Sequence, residues 1–411
     1  MKIRNSFKIF GGTLFICVLL AGLFGACATS PSPEVKPIKI GACLSLTGVL
    51  PDWGQAGKIG DEFRFEQAGW EVAGRPIEYV YEDDGSLDSV KALDAVKKLV
   101  EVDKVDVVLA PVVSGSFWAV QPYTDEKGVL LISQWGRHDL IPWETGEPRL
   151  DICSGGSCIQ QSYSMGTYAY ETMGIRTVSC LGQQENSGYM CIGAFADAFT
   201  KAGGKVVNMQ WLPWGTIDFA PYFVNLGEAD AVVQWFSGAE MQMGMIKQFY
   251  DFGLDETMEL IISPADSVRS QDLPGLGDRV IGMTCSTFYE WTVPTAANEK
   301  FVADFEAAYG MKPTVMHALP YAAMSEYLAA VEVTGGDTTP TIVRDAMIGH
   351  EIEVPWGTRT VTSGGYSKID AFICEVQKVN GVLIWQVVQT YKNVDYPGYY
   401  TKETAESFIT Q

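Results

Sequence analysis

The sequence predicts an α/β protein of two doubly wound parallel-sheet lobes joined by three crossover segments. Continuous Val/Ile/Leu runs alternate with amphipathic helical stretches, the pattern of parallel strands covered on both faces. This alternation occurs in two successive series, one for each lobe. Long helices and a hairpin follow the second series, so the chain crosses between the lobes three times. A cleft between two hinged lobes is the expected result.

The first strand–loop–helix unit, 38–57, forms one wall of this predicted cleft. Apolar residues alternate from Ile38 to Leu44, which is the period of a strand. A loop and a helix at 55–68 follow, with Trp53 in the loop. Because ligands of open α/β sheets bind at the carboxyl ends of the strands, we expect this loop to contact a ligand.

The remaining elements follow the same alternation. In the first series, strands are predicted at 77–84, 105–111 and 129–133, with helices at 87–102 and from Ser116. In the second, strands are predicted at 176–182, 205–212, 230–236, 258–263 and 279–285, with helices at 160–173, 189–202 and 240–252. Helices at 296–309 and 317–334 have no strand neighbours in the sequence and should pack on the first lobe. A hairpin of 371–377 and 382–388, turning at Asn380-Gly381, should return to the second lobe.

These elements set the predicted domain boundaries. The N-terminal lobe comprises 38–152 and 287–352, and the C-terminal lobe comprises 153–286 and 353–392. A C-terminal tail at 393–411 completes the chain, and its place in the fold is left open.

The first 27 residues are interpreted as a secretion signal. Basic residues precede an apolar run, and small residues follow it up to Cys27. Leu23-Phe24-Gly25-Ala26-Cys27 resembles a bacterial lipobox, with Phe24 where leucine is usual, so Cys27 is the predicted lipidation site. The alternative is an ordinary signal peptide cut near Ala28. Residues 28–37 are polar and Pro-rich, which is typical of a tether.

Charge and cysteine content narrow the function further. The formal net charge of −21 disfavours nucleic acid as a partner. Seven cysteines follow Cys27, an odd number, and none has the spacing of a metal site. Pairs Cys153–Cys158 and Cys180–Cys191 are possible disulfides, and buried thiols are the alternative.

The motifs of common catalytic sites are missing from the sequence. There is no phosphate-binding loop, no H-E-x-x-H and no G-x-S-x-G, and the three histidines are widely separated. We therefore expect no catalytic residue, no metal and no cofactor, and a binding protein rather than an enzyme.

Two loops after predicted strands carry small hydroxyl residues and aromatic residues together. One contains Ser114, Ser116 and Trp118, and the other contains Trp135-Gly136-Arg137. Backbone N–H groups and a serine hydroxyl at a helix N-terminus suit a carboxylate. The tryptophans would contact the rest of the ligand or, alternatively, cap the core.

The order of elements, the lipobox, SLTGVLPDWGQAGKIG, YEDDGS and DEKGVLLIS resemble the branched-chain amino-acid-binding (leucine-binding-like) proteins of ABC importers. These are type I periplasmic binding proteins, and the resemblance covers essentially the whole mature chain. It implies that Trp53 contacts the ligand and that Ser114 and Ser116 hold its carboxylate. Gly136 and Arg137 stand where the family often has a small residue and a threonine. Arg137 would then pair with a second acidic group, or be an ordinary surface arginine.

The resemblance is weaker in the second lobe. Ser187 lies in Glu185-Asn186-Ser187-Gly188, where the family commonly has a tyrosine-containing turn. An aromatic position falls near Phe236 or Ser237. The carboxylate that binds an α-ammonium group would fall at Ala265, with Asp266 beside it. Asp266 is the predicted substitute.

The sequence therefore predicts an extracytoplasmic, lipid-anchored solute-binding protein that delivers a carboxylate-bearing ligand of the amino-acid class to ABC permease and ATPase subunits. It is expected to act as a monomer. The alternatives are an aromatic carboxylate or amide without an α-ammonium group as the ligand, or a ligand sensor without transport.

Overall fold

The computed structural model describes residues 35–137, 149–265 and 267–410. The predicted leader with Cys27, most of the predicted tether and Asp266 lie outside these ranges. All the elements below belong to one unit, Lys36–Gln411.

Fifteen strands occur in the described ranges. They are β1 (Ile38–Leu44), β2 (Glu71–Val72), β3 (Arg75–Asp83), β4 (Val107–Leu109), β5 (Leu130–Ser133), β6 (Asp151–Cys153), β7 (Thr177–Gln183), β8 (Lys205–Leu212), β9 (Ala231–Trp235), β10 (Glu259–Ile262), β11 (Thr284–Thr287), β12 (Glu351–Val354), β13 (Gly357–Val361), β14 (Ser367–Val379) and β15 (Val382–Val394).

The same ranges contain eleven α-helices. They are α1 (Pro51–Gln67), α2 (Ser89–Lys98), α3 (Ser114–Lys127), α4 (Cys158–Glu171), α5 (Asn186–Ala202), α6 (Ala220–Phe223), α7 (Ala239–Asp251), α8 (Ala296–Tyr309), α9 (Val315–Val333), α10 (Pro340–Met347) and α11 (Lys402–Glu406). Helix α1 begins four residues before its predicted start, because Pro51 suits the first position of a helix.

The first sheet has the order β2-β3-β1-β4-β5-β6. Apart from β2, which is antiparallel to β3, its strands are parallel. Strands β3 and β4 lie on opposite sides of β1, so the strand order reverses between β1 and β4. The loops after β1 and β4 therefore diverge and leave room for a ligand between them.

The second sheet repeats this arrangement. Its parallel part has the order β11-β10-β9-β7-β8, with β14 added antiparallel to β11. Here the order reverses between β7 and β9, so the loops after these two strands diverge. Two doubly wound, largely parallel sheets confirm the predicted fold class. The residue boundaries predicted for the lobes stay predictions.

The structure confirms two predictions for the C-terminal third of the chain, one about a helix and one about a hairpin. Helix α9 packs on the first sheet, where Met324 and Tyr327 join a buried cluster with residues of β1, β4 and β5. Strands β14 and β15 form the predicted hairpin. Its turn places Asn380 at φ 51° and Gly381 at φ 84°, the left-handed conformation that such a two-residue turn requires.

The prediction of a strand at 279–285 is wrong over most of this range. Asp278–Val280 forms a 3₁₀ turn, and β11 begins only at Thr284. Gly282 has φ 92°, a left-handed conformation that interrupts an extended strand.

The C-terminal tail lies on the second lobe. The Tyr400 hydroxyl donates to Asp197 Oδ2 at 2.8 Å, and the Trp211 indole donates to Glu406 Oε1 at 2.8 Å. Beyond α11, Ile409 forms a β-bridge with Val206 of β8.

A buried ion pair joins the segments by which the chain passes between the sheets. Arg359 of β13 donates from Nε to Glu326 Oε1 of α9 at 3.1 Å, and both side chains are only 3% exposed. Glu326 also accepts hydrogen bonds from the hydroxyls of Ser154, just after β6, and Ser367, at the start of β14. The Arg359 guanidinium also donates to the Ser154 carbonyl. The network therefore fixes the first and third crossovers to α9.

Candidate functional site

A cavity of about 300 Å³ lies where the loops of the two strand-order reversals meet. Its lining includes Leu50 and Val113, which follow β1 and β4, and Glu185 and Gly238, which follow β7 and β9. Both sheets thus contribute the positions at which α/β sheets bind ligands.

Each of these four residues is the N-cap of a helix: α1, α3, α5 and α7. None of the four cap side chains accepts a hydrogen bond from a backbone N–H of its helix. The first N–H groups of a helix have no partner within it, and the aligned peptide dipoles place partial positive charge at this end. Four such helix ends at one cavity favour an anionic group of a ligand.

Aromatic side chains form much of the cavity wall. Four tryptophans and Phe288 line it, the tryptophans being Trp53, Trp135, Trp214 and Trp235. The Trp53 and Trp135 rings meet edge to face, with centroids 5.4 Å apart. The Trp135 indole N–H is buried and has no hydrogen-bond partner among the described residues. The cavity therefore suits a flat apolar body with a polar end.

Two glycines hold Trp135 in place. A Cβ added at Gly155 would lie 2.1 Å from the Trp135 carbonyl carbon, and one added at Gly57 would lie 2.8 Å from its ring. Next to Trp135, the Gln134 amide donates to Asp61, which also accepts the Tyr79 hydroxyl at 2.7 Å. Burial raises the pKa of Asp61 to about 7, and these two hydrogen bonds oppose the increase.

Neutral polar groups dominate the rest of the lining. They are Ser114, Asn186, Ser187, Ser237, Gln242 and Ser267. No lysine or arginine of the described ranges lines the cavity, and Glu185 is their one carboxyl group there. Burial raises the pKa of Glu185, while a hydrogen bond from the Ser187 hydroxyl lowers it. The positive potential thus comes from backbone dipoles rather than from side chains.

A family profile described as "Periplasmic binding protein" matches residues 37–378. The chain belongs to the periplasmic binding protein family. "Leu/Ile/Val-binding protein homolog 6" of Brucella melitensis is 23% identical over 389 residues, which cover 93% of this chain and 98% of the relative. This binding protein is the solute-binding component of an ABC transporter. The family implies a small-molecule ligand, a membrane permease as partner and an extracytoplasmic location.

Solved structures share the fold. An ABC transporter substrate-binding protein from Sphaerobacter thermophilus superposes with a TM-score of 0.83 at 25% identity, covering 88% of this chain and 99% of that one. A solute-binding protein of an ABC transporter from Rhodopseudomonas palustris, in complex with 3,4-dihydroxybenzoic acid, has a TM-score of 0.78 at 24% identity, with the same coverage. The type I periplasmic binding protein fold predicted from the sequence is confirmed.

The cavity of the binding protein brings together half of the predicted site residues. Trp53, Ser114, Trp135, Gly136 and Ser187 all line it. Their contact with a ligand remains a prediction.

Four other predicted residues lie away from the cavity lining: Ser116, Trp118, Arg137 and Phe236. Ser116 is buried within α3, and its hydroxyl has no hydrogen-bond partner among the described residues. Arg137 is buried, with its guanidinium 3.4 Å from the Phe117 ring centroid and 5.0 Å from that of Trp118. Phe236 is fully buried, with its ring 5.7 Å from that of Phe219 in the core.

Ser237, which follows Phe236 in the sequence, lines the cavity instead. The last predicted residue, Asp266, lies outside the described residues, and so does the lipidation site Cys27. The sequence did not indicate Trp214, Gln242, Ser267 or Phe288 as lining residues. Glu185 was not predicted either, although it lies in the same turn as the predicted Ser187.

Two cysteines near the cavity act as thiol donors. Cys153 Sγ donates to the Gly156 carbonyl at 3.0 Å, and Cys158 Sγ donates to the Gly136 carbonyl at 3.2 Å. Cys180 is fully buried, which raises the pKa of its thiol to about 12. In the described ranges, no cluster of three or more His, Cys, Asp or Glu residues could hold a metal ion. None of the helices there is long and apolar enough to span a membrane.

Proposed function

We propose that this binding protein takes an aromatic carboxylate, closes on it and delivers it to its permease. The observation that carries the proposal is a tryptophan-lined cavity at which four helix N-termini meet. The carboxylate would accept hydrogen bonds from the first N–H groups of α3 and from the Ser114 hydroxyl. The ring would pack against Trp53 and Trp135.

The ligand of the Rhodopseudomonas palustris protein supports this choice. That protein has the same fold and is in complex with an aromatic acid, 3,4-dihydroxybenzoic acid. A phenol or a similar polar group at the far end of such a ring would find neutral partners, for which Gln242 and Ser237 are candidates. A ligand of this kind needs no anionic partner in the protein.

One observation favours a second candidate, an α-amino acid. Glu185 provides a carboxyl group at the cavity, which is the chemistry that binds an α-ammonium group. Burial works against this role, because it raises the pKa of Glu185 and so disfavours the ionised form that would attract a cation. We therefore rank the amino acid second.

The two candidates differ in their dependence on Glu185. We expect 4-hydroxybenzoate to bind both the unmodified protein and Glu185→Gln with Kd values within about threefold of each other. An α-amino acid would lose at least about tenfold in affinity in this variant, since a charge-assisted hydrogen bond contributes about 1.5–3 kcal/mol. Titration calorimetry with 4-hydroxybenzoate, leucine and phenylalanine makes the comparison.

The matched control is Glu240→Gln, which changes an exposed carboxylate in the first turn of α7 that does not line the cavity. It should leave both classes of ligand unaffected. Leucine binding that is lost in Glu185→Gln and kept in Glu240→Gln would assign the amino acid and reject the aromatic acid.

We also propose that the mature protein is a monomer anchored to the membrane by a lipid on Cys27. The lipobox-like sequence before Cys27 supports the anchor. Two acyl chains or more are needed for stable anchoring, so loss of the modified cysteine should release the protein. In membrane fractions of expressing cells, Cys27→Ser should move most of the protein to the supernatant. Retention in the membrane fraction would contradict the anchor.

A further inference from the structure

A second cavity, of about 250 Å³, lies beside the first and shares Val315 with it. One part of its wall comes from the second lobe, from the loops after β10 and β11 and from the start of β15. Another part comes from Lys312, Thr314 and Val315, between α8 and the first turn of α9. An occupant would therefore touch elements that pack on both sheets.

The cavity contains a buried carboxyl group without a cationic partner. Glu290, which is 9% exposed, lies in the segment that leads from β11 to α8. Its Oε1 accepts hydrogen bonds from Ser270 Oγ at 3.1 Å and from the Trp291 N–H at 3.3 Å. No lysine or arginine of the described ranges forms an ion pair with it. Burial raises the pKa of Glu290 to about 8.

The two cationic residues of the lining are paired with other carboxylates. Arg269 donates from Nε to Asp272 Oδ2 at 2.9 Å, and its Nη1 lies 3.8 Å from Asp52 Oδ2. Lys312 pairs with Glu306. Their charges are therefore largely balanced, and the ionised form of Glu290 would be the unbalanced charge in the cavity.

Two further titratable groups nearby, Tyr289 and His317, are kept neutral near pH 7 by burial. Burial raises the pKa of Tyr289 well above its usual value, and burial together with Arg269 lowers the pKa of His317 to about 4. Cys285 also lines the cavity. Glu290 is thus the group in this cavity whose charge an incoming ligand would change.

The walls around Glu290 are apolar and aromatic. Trp291 and Trp385 line the cavity with Tyr289, and Val268, Val382 and Leu383 extend the apolar surface. Aromatic faces attract cations, and aliphatic walls bury an apolar body. A carboxylate beside aromatic rings is the combination that binds organic ammonium ions.

We propose that this cavity is a second ligand site, which takes a small organic ammonium ion with its cation against Glu290 and its apolar body against Trp291 and Trp385. The site is separate from the aromatic-acid cavity and does not depend on that assignment.

The test uses the full-length protein with n-butylammonium, and with n-butanol and butyrate as neutral and anionic analogues of similar shape. Titration calorimetry should detect binding of butylammonium and not of the two analogues. Between pH 6 and 7.5 the affinity should rise by close to tenfold per pH unit, because the cation displaces the proton of Glu290. Calorimetry in buffers of different ionisation enthalpy should show release of nearly one proton at pH 6.

Two variants locate the site. Glu290→Gln should weaken butylammonium binding at least tenfold, while the matched Glu185→Gln, in the first cavity, should leave it unchanged. Val382→Trp fills the second cavity from a partly exposed position without changing Glu290, and should also abolish binding. Binding lost in Glu185→Gln and kept in Glu290→Gln would overturn the proposal. So would equal binding of n-butanol, or no binding of butylammonium at pH 8.

Discussion

Replacing Arg359 by methionine should lower the free energy of unfolding by about 3–5 kcal/mol. The variant leaves the Glu326 carboxylate buried without its counter-ion, and water does not reach a side chain that is only 3% exposed. The hydroxyls of Ser154 and Ser367 remain as hydrogen-bond donors, but neither carries a charge. Urea denaturation followed by circular dichroism measures the difference.

The comparison for this prediction is Lys300→Met, which breaks an exposed ion pair with Asp304 on α8. Exposed pairs contribute about 0–1 kcal/mol, so this variant should unfold almost as the unmodified protein does. The double variant Arg359→Met/Glu326→Leu should recover much of the loss, because it removes the buried charge altogether. Equal losses for Arg359→Met and Lys300→Met would show that burial of the pair has no energetic consequence.

Trp135→Ala should also lower the free energy of unfolding by about 3–5 kcal/mol. The same variant should abolish ligand binding. Trp135 is 2% exposed and packs in the largest buried cluster. Its removal leaves a space that the backbone held at Gly155 cannot fill, and the loss includes both transfer energy and the new cavity. Urea denaturation and ligand titration on the same preparation measure the two effects.

Trp214→Ala separates the two effects, since Trp214 lines the same cavity but is 58% exposed. It should change the free energy of unfolding by less than about 1 kcal/mol, in the range of surface substitutions. It should still lower the affinity for the ligand. If Trp214→Ala destabilised the protein as much as Trp135→Ala, burial would not explain the stability of this wall.

Hydrophobic periodicity was sufficient for the long elements of the fold. Apart from β6 and β11, the parallel strands of both sheets have a strong local pattern, as do helices α8 and α9 and the hairpin at Asn380-Gly381, and the structure confirms them. Strands β6, β12 and β13 have three to five residues each, which is too few for a period. Unlike the equally short β4 and β5, they also lack a continuous Val/Ile/Leu run, so they could not be predicted.

The site was harder to predict, because side-chain direction depends on single residues. Phe236 and Ser237 are adjacent and point to different surroundings, so a shift of one position exchanges a core residue for a lining residue. Arg137 packs on Phe117 through tertiary contacts that leave no sequence pattern. Lining residues such as Phe288 and Gln242 come from distant segments, and only the folded chain brings them to the cavity.

The bridge between Ile409 and Val206 covers part of an edge strand that could otherwise pair with another copy of this protein. Strand β8 is the last strand at one side of the second sheet, and an uncovered last strand offers its backbone N–H and C=O groups to any other chain. The Thr410 N–H donates to the Val206 carbonyl at 2.9 Å and so occupies part of that strand. Residues 409 and 410 thereby cover this part of the strand against intermolecular strand pairing, which is a route to aggregation.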